Sequence, residues 1–152
     1  MNDKTLDLAF VRTATLDTIK NTLIDKSSIH GFGLFASKAI EAGQVLYEFD
    51  GQAVSVEDYN KIEMLVGEQI GPYKNYIFME CNYLDEYTLL VRNFRTKYSY
   101  INHSRSPNVE IRQHPMHLVS IKTIQSGDEL TIDYRKESLS SEYLSQARNQ
   151  YL

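Results

Sequence analysis

Gly127-Asp128-Glu129-Leu130-Thr131-Ile132-Asp133-Tyr134 is the stretch on which the fold turns. With Gln125 and Ser126 before it, the stretch opens on a tight turn, because glycine supplies the positive φ such turns need. Glu129 to Ile132 then alternates polar and apolar residues, as a strand does. A tyrosine follows two residues on, an apolar ring with a hydroxyl at its tip.

Two upstream stretches carry residues of the same chemical interest. Tyr100-Ile101-Asn102-His103-Ser104, followed by Ser106-Pro107-Asn108, sets an amide that both donates and accepts beside an imidazole that can stack or hydrogen-bond. His30-Gly31-Phe32-Gly33-Leu34-Phe35-Ala36 reads as a turn entering a strand. Its glycines let the backbone approach a ligand closely and expose N–H and C=O groups to it. Each stretch also has a plainer reading: a connecting turn, a satisfied core histidine, a packing tyrosine.

Around these lie further short elements. Leu23-Ile24-Asp25, Leu34-Phe35-Ala36, Val45 to Phe49, Tyr76 to Met79, Thr88 to Val91 and Leu118 to Ile121 read as strands. A polar turn is expected near Asn82 to Glu86. Ser55-Val56-Glu57-Asp58 reads as a capped helix start. Tyr59, Ile62, Met64, Leu65 and Val66 continue it as an apolar stripe, with Gly67, Gly71 and Pro72 expected to end it. Leu139, Tyr143, Leu144, Ala147 and Tyr151 give a second, C-terminal amphipathic helix pattern. Leu6, Leu8, Phe10 and Val11 suggest a short strand or docked arm. The pattern is that of one mainly β domain with short helices.

Composition narrows the partners. The net charge is −4, with no long basic run, so nucleic acid is not expected to bind. Cys81 stands alone, which excludes an intrachain disulfide and a multi-cysteine zinc site. No apolar stretch approaches membrane-spanning length. The polar start Met1-Asn2-Asp3-Lys4 is unlike a signal peptide, so a cytoplasmic or nuclear setting is expected. With 11 Tyr and no Trp, the chain is equipped to line apolar cavities with hydroxyls.

Taken in order, the three stretches, with Ala42 to Gly51 between the first two, resemble the SET-domain family of protein-lysine methyltransferases. The resemblance spans about residues 18–135. It implies a β-clip-like fold of small sheets, with a C-terminal segment threaded as a pseudoknot. Residues 1–17 are expected to form an N-terminal arm, and 136–152 a helix that caps the substrate channel. The cofactor implied is S-adenosylmethionine, leaving as S-adenosylhomocysteine, with no metal. His30, Gly31, Phe32, Gly33, Tyr76, Tyr100, Asn102 and His103 correspond to cofactor contacts, Tyr100 through its backbone. Tyr134 corresponds to the catalytic tyrosine, and Ile132 and Tyr76 to the substrate channel.

The reaction implied is direct in-line methyl transfer to a neutral lysine amine of a protein or peptide, by a monomer or a homodimer. A lysine amine has an ordinary pKa near ~10.4, so apolar channel walls and a nearby positive sulfur must favour its neutral form. The sequence departs from the family pattern at Arg95-Thr96, Ser99-Tyr100 and Arg105. A catalytically silent module with the same fold is the alternative these departures leave open. A hydrolase built on Ser104 or Cys81 with a histidine and Asp133 lacks a nucleophile-elbow sequence. His114 and His117 flank Pro115 and lack a second ligand pair, so they read as surface turn residues.

Overall fold

The computed structural model describes residues 15–71 and 80–137. Among the described residues ten strands run in chain order: β1 Thr22–Lys26, β2 Phe32–Ala36, β3 Val45–Glu48, β4 Gln52–Ser55, β5 Glu80–Asp85, β6 Thr88–Arg92, β7 Asn102–His103, β8 Val109–Arg112, β9 His117–Ser120 and β10 Glu129–Ile132. The α-helix α1, Val56–Ile70, follows β4, and short 3-10 turns cover Lys97–Tyr100 and Tyr134–Lys136. The expected mainly β architecture is what forms. It gathers into two compact units, residues up to 49 with 95–133, and residues 50–94 with 134 onward.

The first unit holds two sheets, ordered β1-β2-β10-β7 and β3-β9-β8. β10 lies inside the first sheet, antiparallel to β2 and parallel to β7. A last strand inserted between two earlier ones is the sheet arrangement that C-terminal threading requires. It also explains a departure from the pattern. Alternation at 129–132 predicts a strand buried on one face, yet Leu130, Thr131 and Ile132 are all buried. A central strand is covered on both sides, whatever its own periodicity. Ile19, Leu34, Ile40, Val109, Leu118, Val119 and Ile124 complete this core. The hairpin of β8 with β9 includes a strand that the sequence pattern does not single out.

The second unit is the sheet β4-β6-β5 with α1. Ser55 caps α1 as expected, its Oγ accepting the Asp58 N–H at 3.0 Å. Glu57 and Asp58 in the first turn suit the positive end of the helix dipole. The helix does not end at Gly67. It continues to Ile70, and Gly71, at φ 52°, closes it by donating its N–H to the Gly67 carbonyl. One interior glycine costs a helix about 1 kcal/mol and does not break it. The apolar stripe of α1 is not a core face, since Ile62, Met64, Leu65 and Val66 are exposed.

Strand β5 replaces the turn expected at Asn82 to Glu86; the chain reverses instead at Glu86 and Tyr87. Asn82 reads as a turn residue because it is polar. In the fold Glu80 and Asn82 are both buried against Arg92, which donates from Nε to the Glu80 carboxylate at 2.9 Å and from Nη2 to the side-chain Oδ1 of Asn82. Buried polar groups that satisfy one another can occupy a strand interior. The strand expected at Tyr76 to Met79, the N-terminal apolar segment and the C-terminal helix pattern lie outside the described residues.

Candidate functional site

The sheet order brings the three motifs side by side. The glycine turn leads into β2, Asn102 and His103 form β7, and β10 pairs with both strands. Thr131 stands opposite Asn102 and Ile132 opposite His103 in the parallel pair. Glu129 stands opposite Phe35, and Leu130 opposite Leu34, in the antiparallel one.

The Asn102 side chain links all three. Its Nδ2 donates towards the His30 carbonyl at 3.2 Å, the Phe32 carbonyl at 3.2 Å and Glu129 Oε1 at 2.7 Å. Ser27 Oγ donates to the same carboxylate, 2.8 and 2.9 Å from its two oxygens. That hydroxyl also accepts from Ile29 N at 2.9 Å, which steadies the turn. Gly31 takes φ 51°, a left-handed conformation that favours glycine. Gly33 leaves space, because a Cβ there would overlap the Glu129 carboxylate where it now lies and would have to displace it. The two glycines thus serve different ends, one conformational and one steric.

Beside this cluster, His103 Nδ1 lies 3.9 Å from the buried Asp133 carboxylate. Ser104 N–H donates to the Ile132 carbonyl at 2.9 Å and continues the β7–β10 ladder. Asn108 then clamps β10. Its Nδ2 donates to the Glu129 carbonyl at 2.8 Å, and its Oδ1 accepts the Thr131 N–H at 2.8 Å. A side-chain amide here does the work of a strand partner. Asn108→Ala strands both backbone groups and is expected to cost about 1–3 kcal/mol, read as a lower denaturation midpoint at unchanged slope. An unchanged midpoint would show that the clamp is redundant.

Tyr134 begins the 3-10 turn just after β10, and its carbonyl accepts the Glu137 N–H at 3.2 Å. Ile132, read as a channel residue, is buried on β10. Tyr100 is buried too. Its hydroxyl lies 3.4 Å from Thr15 Oγ1, and the Arg95 guanidinium stands 5.8 Å from its ring centre.

The segment that departs from the family pattern has a structural use of its own. Lys97 donates to the Thr22 carbonyl at 2.6 Å and pairs with Asp17 at 2.6 Å, and Leu16 N–H donates to the Arg95 carbonyl. Its hydrogen bond to Asp17 holds that carboxyl below its ordinary range. Residues 95–97 therefore tie the start of the described chain to the first unit. Tyr76 lies outside the described residues.

Cys81 is ill suited to nucleophilic work, since burial pushes its thiol above the ordinary value. Among the described residues no cluster of His, Cys, Asp and Glu could hold a metal ion, and no helix is long and apolar enough to cross a membrane.

A family model described as the SET domain matches residues 31–135. The chain belongs to the SET-domain family. Among curated proteins, this SET domain is 32% identical over 130 residues to the histone-lysine N-methyltransferase trithorax of Drosophila virilis, covering 78% of this chain and 3% of that protein. It is 30% identical over 119 residues to human histone-lysine N-methyltransferase 2B, covering 72% of this chain and 4% of the relative. It is 26% identical over 125 residues to MEDEA of Arabidopsis thaliana, covering 78% and 17%. The SET domain described here thus spans a small fraction of each of these relatives.

Two solved structures share its fold. One is apo ctPRC2 in an autoinhibited state, with a TM-score of 0.60 at 22% identity, covering 86% of this chain and 17% of that one. The other is a humanized mutant of the Chaetomium thermophilum Polycomb Repressive Complex 2 bound to the inhibitor GSK126, with a TM-score of 0.57 at 24% identity, covering 78% and 15%.

The sequence assigns no role to three residues of this SET-domain cluster, Ser27, Asn108 and Glu129, although the last two stand inside the quoted motifs. Ser27 looks like any turn serine, and Glu129 like the solvent-facing residue that opens a strand. The nearest thing to a signal is Gly33, a glycine inside a strand, which often marks close approach by another group.

Proposed function

We propose that this SET domain transfers a methyl group from S-adenosylmethionine to the side-chain amine of a lysine in another protein. The observation that carries the reading is the Asn102 amide, bonded across the carbonyls of the glycine turn and to the Glu129 carboxylate. Carbonyl oxygens, an amide oxygen and a carboxylate make an acceptor-rich, negatively charged place. The ammonium group at the amino-acid end of the cofactor suits such a donor set. His30, Gly31, Phe32 and Gly33 would hold that end by their backbone, with Asn102, His103, Tyr100 and Tyr76 completing the contacts.

When bound, the cofactor supplies a methyl group on a positively charged sulfur, and transfer is read as direct and in line. The protein's task is to present a neutral, aligned amine. Alignment of reacting groups is worth several kcal/mol of barrier, up to about 7–11 in the best cases. The Tyr134 hydroxyl is assigned to orienting the amine. The names of the relatives support a protein substrate.

Isothermal titration with S-adenosylmethionine, followed by transfer of labelled methyl groups to a mixed protein extract, tests this reading. Binding with labelled protein is expected. Failure of the folded protein to bind the cofactor would sink the proposal, and binding without labelling would favour the silent module.

Ile132 bears on the product. It lies two residues before Tyr134 and carries no hydroxyl to hold water in the channel. Di- or trimethylated lysine is therefore expected on prolonged reaction, and strictly monomethyl product in a mass spectrum would refute this. The tail over 138–152 is read as closing the channel. Its deletion is expected to lower turnover at least about tenfold, and full activity in the shortened protein would remove it from the site.

A further inference from the structure

We infer that Glu129 is a positioning residue that sets the direction of the Asn102 amide, and thereby the preference of the turn at His30 to Gly33 for a ligand's amino group. The inference rests on the cofactor reading above and adds to it the group that makes the turn selective. An asparagine amide has two ends of nearly equal shape and opposite polarity. Which end faces outward decides whether it attracts or repels a cation. Here three acceptors gather at one end: the His30 and Phe32 carbonyls and Glu129 Oε1. The shortest of the three contacts, 2.7 Å, is the one to Glu129, and a carboxylate only accepts. Nδ2 is thereby held inward, and Oδ1 is left as the acceptor for an ammonium group.

Glu129 is itself held in place. Ser27 donates to it at 2.8 and 2.9 Å, while the Ser27 oxygen accepts from Ile29 N at 2.9 Å and His30 N at 3.4 Å. One carboxylate therefore couples the start of the glycine turn to the amide on β7. Gly33 leaves the space that the carboxylate occupies. Without Glu129, two weaker carbonyl contacts hold the amide. Rotation by half a turn would then present its NH2, which repels an ammonium.

A merely structural Glu129 would weaken every ligand alike. The test therefore compares S-adenosylhomocysteine with its analogue lacking only the α-amino group, titrated into the wild type, Glu129→Ala and Glu129→Gln. The wild type is expected to prefer the amino compound by about 10- to 100-fold, the worth of a hydrogen bond to a charged group. Glu129→Ala is expected to bring that ratio close to one. Glu129→Gln keeps an oxygen for Asn102 and should retain most of the preference. If Glu129→Ala does not fold, Ser27→Ala, which unties the carboxylate, is expected to lower the ratio in its place. An unchanged ratio in folded Glu129→Ala, or in Ser27→Ala where the former does not fold, or a wild type indifferent to the amino group, would overturn the inference. A folded wild type that binds neither compound would instead remove the cofactor reading itself.

Discussion

Tyr134→Phe is expected to lower methyl transfer by at least about a hundredfold while leaving cofactor affinity within about twofold. The substitution removes one oxygen and keeps the ring. Tyr134 is half-buried at the first position of a 3-10 turn, and the hydrogen bond that its carbonyl accepts from Glu137 N–H belongs to the backbone. Because the ring stays, the thermal midpoint should move by no more than a few degrees. In the proposed reaction the hydroxyl orients the lysine amine. Removing one preorganised polar contact from a reacting centre typically costs about 10²–10³ in turnover. Because the loss falls on the transition state, kcat and kcat/KM should drop together. Labelled methyl transfer at saturating cofactor, set beside calorimetric binding of S-adenosylhomocysteine, separates the two effects. A Phe variant that turns over at the wild-type rate would take the catalytic role from Tyr134. Equal loss of binding and turnover would make it a residue of the cofactor pocket.

The largest effect on stability is expected from Arg92→Leu, at about 3–5 kcal/mol. The Arg92 and Glu80 side chains are 1% and 4% exposed, and Arg92 Nε donates to Glu80 Oε1 at 2.9 Å. Nη1 donates to the Asp50 carbonyl at 2.7 Å, and Nη2 reaches Asn82. One guanidinium thereby ties β5 and β6 to the residues that lead into β4. Truncating it leaves a carboxylate buried without its countercharge, and a domain of this size has only about 5–15 kcal/mol of stability to lose. The double variant Arg92→Leu/Glu80→Leu should recover much of the loss, because an apolar pair avoids the desolvation of two charges. Chemical denaturation of both single variants and the double variant gives the coupling. A single-variant cost below about 1 kcal/mol, or a double variant as unstable as Arg92→Leu alone, would show that the buried pair does not hold the sheet.

Much of the architecture is legible from neighbours in the chain. β10 falls where alternation at 129–132 predicts it, and Ser55 caps α1 as its spacing to Asp58 predicts. A cap and a turn depend on a few consecutive residues, so local chemistry decides them. The pattern misleads where polarity is a matter of partners. Asn82 looks like a turn residue until Arg92 is placed against it, and the apolar stripe of α1 looks like a core face until its exposure is seen.

The order of the three motifs along the chain identified the family and named Asn102, His103 and Tyr134, because those residue types at that spacing are rare in combination. The sequence by itself determined β1, β3, β6, β9 and β10, the start of α1 and the candidate chemistry, while it placed a turn where β5 runs and passed over β8. Tertiary structure alone decided how the pieces are joined: β10 between β2 and β7, Asn108 clamped along β10, and Ser27 on a carboxylate 102 residues away in the chain. The physical reason is range. Backbone preference is settled within a few residues, whereas the partner of a side-chain hydrogen bond is settled by strand register, which no local periodicity encodes.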